Sequence, residues 1–75
     1  MSQGLPKVTA KEIIAALEKL GFVFSRQSGS HKIYKNSKKK RVTIPYHGSK
    51  ILHPKVIKSI IKDANINIEQ LKKLL

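Results

Sequence analysis

At 75 residues the chain buries only about 60% of the surface that its unfolded form exposes, so it can build one modest core. It has no cysteine, which excludes a disulfide framework or a thiolate metal site as support for that core and makes a reducing cytoplasm the simplest location. Sixteen Lys or Arg against four Asp or Glu give a formal net charge of +12, and neither an export signal in Met1–Pro6 nor the roughly 20 apolar residues of a membrane span is visible.

Thr9 followed by Glu12 is a capping-box signature, which starts a helix at Ala10. Ile13, Leu17 and Leu20 recur at helical spacing, Ile14 and Ala16 broaden the stripe, and Gly21 supplies the left-handed residue that ends such helices. Phe22 to Gln27 carries β-formers without helical spacing, and the Ser28-Gly29 turn leads to a second extended run, Ser30 to Lys35, which together predict a β-hairpin. Asn36 to Lys40 reads as a polar, like-charged loop. Arg41 to Ile44 alternates as a third strand that stops at Pro45, which cannot donate to a ladder.

Tyr46 to Lys50 is expected to be a loop, and His53-Pro54 opens a second helix with proline in its tolerated first position. Val56, Ile57, Ile60, Ile61 and Ala64 form the apolar face of that helix. Lys55, Lys58 and Lys62, spaced three and four apart, stand in a row opposite. Asn67 with Gln70 caps a last short helix whose Leu71, Leu74 and Leu75 are expected to seal an edge of the core. The order predicts an α+β two-layer sandwich, α-β-β-β-α with a short C-terminal helix, with both main helices on one sheet face and the other face open. It matches the double-stranded-RNA-binding-domain architecture. No linker, repeat or second domain is visible across residues 1–75.

The charge is concentrated. Between Glu18 and Asp63 there is no acid but there are twelve bases, while the flanks sum to zero. Such a field captures polyanions and gains sequence-independent affinity from phosphate neutralisation, so the expected partner is nucleic acid, most simply RNA. A solubilising surface more often mixes both signs. Candidate phosphate-binding residues are Lys32, Lys35, Lys38, Lys39, Lys40, Arg41, Lys50, Lys55, Lys58 and Lys62. Lysine outnumbers arginine fourteen to two, which favours backbone binding over reading of base edges. Four aromatics without a ribonucleoprotein motif make a base-stacking platform a poor fit. A peripheral protein on anionic lipid would share the charge but needs an amphipathic helix with Trp or Phe for insertion.

His31 begins the second strand and His47 follows the third. Antiparallel pairing brings the start of one to the end of the other, so His31 is expected near Ile44 and Pro45, with His47 within reach. Pairing Ile33 with Val42 and pairing Tyr34 with Val42 are both sensible, and the two registers turn the side chains to opposite faces. Two imidazoles in a basic surface suit RNA cleavage, because histidine titrates nearest neutral pH and both takes and gives a proton. The bland alternatives are an exposed polar His31 at a hairpin end and a His53 that only caps the second helix. A zinc site of His31, His47 and His53 is disfavoured by the lack of cysteine or a nearby carboxylate, and no cofactor is expected.

Gly29-Ser30-His31 with alternating Ile33 and Tyr34, then Val42 to Ser49 with its Ile-Pro-x-His element, and then Ile57 to Ile61, resembles the HicA toxin family, also called YcfA-like. The resemblance runs from about Thr9 to the C-terminus. It departs from the family at the lysine-rich stretch Lys35 to Arg41, where relatives have a shorter turn. It implies a double-stranded-RNA-binding-like fold, a messenger-RNA interferase of a type II toxin–antitoxin pair, and a cognate HicB-like antitoxin protein. The histidine that the family uses in catalysis falls on His31; His47 matches the second motif and stands as a secondary candidate. The resulting expectation is a metal-independent endoribonuclease with His31 as general acid or base. The alternative is a non-catalytic RNA-binding module of the same fold.

Overall fold

The computed structural model describes residues 5–75; the reading of Met1–Gly4 as free of an export signal lies outside them. The elements are α1 (Ala10–Lys19), β1 (Val23–Ser28), β2 (His31–Lys35), β3 (Arg41–Pro45), α2 (Pro54–Ala64) and α3 (Ile68–Leu74). The strands form one antiparallel sheet in the order β1-β2-β3, and the arrangement is the α+β, double-stranded-RNA-binding-like one expected.

Local chemistry sets the helix ends. The Thr9 N–H donates to Glu12 Oε1 at 2.8 Å and the Glu12 N–H donates to Thr9 Oγ1 at 3.2 Å, which closes the capping box of α1. At the other end Gly21 takes φ +96°. The Phe22 N–H then reaches Leu17 O at 3.1 Å and the Gly21 N–H reaches Glu18 O at 3.0 Å, satisfying two orphan carbonyls. This turn drives Phe22 into the core, so the first strand starts one residue later than the β-formers suggest. Asn65, in the left-handed region at φ 61°, ends α2 in the same manner. Asn67 and Gln70 exchange bonds of 2.8 and 2.9 Å to cap α3.

The core lies between the helices and one face of the sheet. Ile13, Leu17, Val42, Ile44, Ile57, Ile60 and Leu71 are fully buried there, each contributing about 1.5–3 kcal/mol by leaving water. Leu74 packs partly against this cluster, whereas Leu75 stays exposed and does not help to seal it. Tyr34 pairs with Val42 and Lys32 with Ile44, which resolves the register that the sequence leaves open. Cross-strand partners share a face, so Tyr34, Val42 and Ile44 point to the helices. His31, Ile33 and Lys35 point to the helix-free side.

Burial, then the Glu18 carboxylate, then Tyr46 hold the Tyr34 phenol above its usual value of 10.0. The unfolded chain therefore loses this proton first, and the stability involved is intact below about pH 10 and falls as pH rises further. Tyr34→Phe should keep the packing and lose this dependence. Thermal melts from about pH 9 to 11 should show a shallower decline in Tm for Tyr34→Phe than for wild type; parallel declines would mean that Tyr34 ionisation is not linked to folding.

Candidate functional site

His31 is exposed and sits where three backbone constraints meet. Its partner on β1 is Ser28, its partner on β3 is Pro45, and the turn before it is the two-residue Gly29-Ser30. Gly29 has φ +59° while Ser30 has none of the positive φ values, the pattern of a hairpin turn that needs glycine at its first central position. Gln27 Nε2 donates to Gly29 O at 2.9 Å, and the Tyr46 N–H donates to Ser30 O at 2.7 Å. The second bond carries the β2–β3 ladder one residue beyond Pro45 and ties the following loop to the hairpin.

His47 lies on that loop, exposed, two residues past the Pro45 that faces His31. The Lys50 N–H donates to His47 O at 3.3 Å, and Gly48 has φ +63°, so the segment folds as a turn at the same end of the sheet as His31. His53 is placed differently. Its Nδ1 accepts the Lys55 N–H at 3.0 Å, which makes it the N-cap of α2 and puts the ring proton of the neutral form on Nε2. Among the described residues, no three His, Cys, Asp or Glu side chains gather in a way that could hold a metal ion.

The expected phosphate-binding residues do not form one cluster. Lys32 turns to the helix side with Ile44, and its Nζ stands 3.9 Å from the centre of the Tyr46 ring, a cation–π contact on the face opposite His31. Lys35 and its partner Arg41 share the face of His31. Lys35 lies four steps along the strand from His31, about 13 Å away. The Lys38–Lys40 loop lies at that far end. Asn36 Oδ1 accepts the Lys38 and Lys40 N–H groups at 3.0 and 2.9 Å, and Lys39 is held at φ 64°, so the loop is ordered with its three ammonium groups exposed. Lys50 is exposed beside His47, and Lys55, Lys58 and Lys62 line the outer face of α2, in the other layer of the sandwich.

Two features of the helix-free face were not visible in the sequence. Arg26, which alternation from Phe24 would send to the helix side, pairs with Ile33 and so joins His31. Ile33 is only 7% exposed although it lies outside the core cluster on a face without helices. Its cross-strand partners there are Arg26 and Thr43, and His31 and Lys35 flank it along β2, positions from which long side chains can cover an apolar neighbour.

A family model described as the HicA toxin of bacterial toxin–antitoxin systems matches residues 10–66. The chain belongs to the HicA toxin family. The match spans α1 through α2 and includes both the Gly-Ser-His turn and the loop of His47. No curated protein matches the chain. As a member of this family the chain is the toxin half of a toxin–antitoxin pair, with an antitoxin as partner. None of the helices among its described residues is long and apolar enough to cross a membrane.

The capping role of His53 has a simple check. His53→Ala should lower stability by about 1 kcal/mol through the lost N-cap, and His53→Ser or His53→Asp should recover most of it. Equal stabilities of His53→Ala and wild type in urea denaturation would show that the cap carries no weight.

Proposed function

We propose that this toxin is a messenger-RNA endoribonuclease and that His31 is its general acid or base. The observation carrying this reading is the placement of His31 in a chain of the HicA toxin family. The His31 backbone is fixed by a hairpin turn and two strand partners, and its imidazole is exposed on the one sheet face left free by the helices. An extended polyanion can lie across such a face.

A base removes the proton of a ribose 2′-OH, whose oxygen attacks the adjacent phosphorus. The bond from phosphorus to the 5′ oxygen breaks, and an acid protonates that leaving oxygen. The products are a 2′,3′-cyclic phosphate and a 5′-OH. The nucleophile belongs to the RNA, so the reaction asks of the protein a proton carrier, a second proton site and a cation for the negative charge that builds on phosphorus. His31 supplies the first. His47, on the loop tied to the same hairpin, is the best-placed second carrier. Lys35, Lys38, Lys39, Lys40 and Arg41 hold RNA farther along, toward the other end of the strands, and Lys50 serves the His47 side. Lys55, Lys58 and Lys62 face away and hold only RNA that wraps around the domain.

His31→Ala should lower RNA cleavage by about 10²- to 10⁴-fold and abolish growth arrest, while RNA affinity, which comes from many cations, changes little. Cleavage by wild type should persist in EDTA and leave 2′,3′-cyclic ends. His47→Ala should cause a comparable loss if both rings move protons. A folded, fully active His31→Ala protein would overturn the site.

The cognate antitoxin is proposed to be HicB-like and to present Asp and Glu to this basic surface. Oppositely charged surfaces associate fast, and salt screens them. The rate of toxin–antitoxin association should therefore drop steeply from about 10 mM to 500 mM salt, and an unchanged rate would argue for a neutral, apolar contact instead.

A further inference from the structure

We infer that Arg26 is the phosphate-binding residue beside His31, carried to that position by a β-bulge at Ser25. The inference rests on the reading of His31 as the reacting histidine and supplies the cation that this reading needs.

The strand register carries the argument. Phe24 pairs with Tyr34, and Arg26 pairs with Ile33, so two steps on β1 correspond to one step on β2 and Ser25 is the extra residue. Phe24 shares the helix side with Tyr34, their rings meeting edge to face at 5.7 Å. In a regular strand Arg26, two residues on, would point the same way. The bulge reverses the phase, so Arg26 and Ser28 lie on the helix-free face and Gln27 takes the other side with Lys32. Bulges bend an edge strand and re-aim its side chains, and this one turns a guanidinium toward His31.

Arg26 then stands diagonal to His31 across the β1–β2 pair. Diagonal neighbours lie about 7–8 Å apart, within reach of a long side chain. No other cation on the strands comes as near on that face. Lys32 is adjacent in sequence but points away over Tyr46, and Lys35 and Arg41 are about 13 Å along the strands. The chain has two arginines among sixteen basic residues, and both fall on this face. A planar guanidinium can hold two phosphate oxygens at once, whereas an ammonium acts as a point charge. Arg26 therefore suits the two non-bridging oxygens of the phosphate under attack.

The test moves the guanidinium without changing net charge. Arg26→Gln/Gln27→Arg transfers it to the helix side, and Gln27→Ala controls for loss of the Gln27 bond to Gly29. Arg26→Lys keeps the charge in place but not the fork. Cleavage of a labelled RNA is measured together with the affinity and salt dependence for a 2′-O-methyl RNA, which cannot be cut, and melting by circular dichroism reports the fold.

The transfer variant and Arg26→Lys should each lower kcat/KM by at least about tenfold, toward the roughly 10²-fold loss typical of one charge-stabilising donor. The transfer should also flatten the salt slope for the uncut RNA by about 0.7, the share of one phosphate contact on a single strand. Gln27→Ala should stay near wild type. Wild-type cleavage and salt slope in the transfer variant would overturn the inference while leaving His31 in place, and full rescue by Arg26→Lys would reduce Arg26 to a point charge and overturn the bidentate contact. If wild type does not cut RNA, the reading of His31 fails by itself; the uncut-RNA arm then decides, with an unchanged slope counting against Arg26 and a flattened one for it. Should the transfer variant melt early, Arg26→Ala replaces it, with the same expected losses and the same overturning result.

Discussion

The pairing of Tyr34 with Val42 governs the molecule, because side chains alternate along a strand and cross-strand partners share a face. Val42 and Ile44 are fully buried against the helices, and nothing else on β3 is apolar enough to take their place. Tyr34 joins them. Once it does, the phase of β2 is set and His31 is turned to the side without helices. A slip of one residue would bring His31 and Ile33 to the helix side and leave Tyr34 in water, replacing a large ring of the core by a smaller side chain. The same apolar contacts that hold the sheet to the helices thus hold the histidine out to solvent.

The charge follows a different logic. A +12 chain with one modest core has no network of carboxylates to balance its lysines, and the repulsion is accepted along the surface rather than relieved inside. The lysines are spread over the loop before β3, the outer face of α2 and the loop after β3, so the field surrounds the domain. Such a field brings a polyanion close without fixing where it lies. On the proposed reading, position is a matter for the helix-free face, where the two arginines and His31 stand around a shielded Ile33. Capture and placement would then be divided between many ammonium groups and a few directed ones, and an acidic antitoxin that covers the surface would oppose both.

Much of the fold was legible because it is written in short-range chemistry. Thr9 with Glu12, Asn67 with Gln70, Gly21 and the His53-Pro54 pair each name a helix end through a hydrogen bond or a backbone angle set within a few residues. The Gly29 turn locates the hairpin in the same way. Register was less legible, since Ile33 and Tyr34 are both apolar enough to oppose Val42. The packing of helices from distant parts of the chain chose between them. The bulge at Ser25 was not legible at all. Phe24, Ser25 and Arg26 give no turn signal, and only the need to keep Phe24 with Tyr34 while closing a tight hairpin at Gly29 forces an extra residue into β1. For that reason Lys32 stood among the ten phosphate-binding candidates and Arg26 did not, while the structure turns Lys32 to Tyr46 and brings Arg26 to the face of His31.

On the proposed reading RNA lies on the helix-free sheet face, across β1 to β3, and not along the lysines of α2. Amide chemical-shift mapping with a 2′-O-methyl oligonucleotide tests it directly, since each strand and helix reports separately. The largest perturbations are expected at Arg26, Ser28, His31, Ile33, Thr43 and the turn around His47, with smaller ones in the loop of Lys38 to Lys40. Perturbations concentrated at Lys55, Lys58 and Lys62, with the strands unmoved, would contradict the account and place the RNA on the other layer.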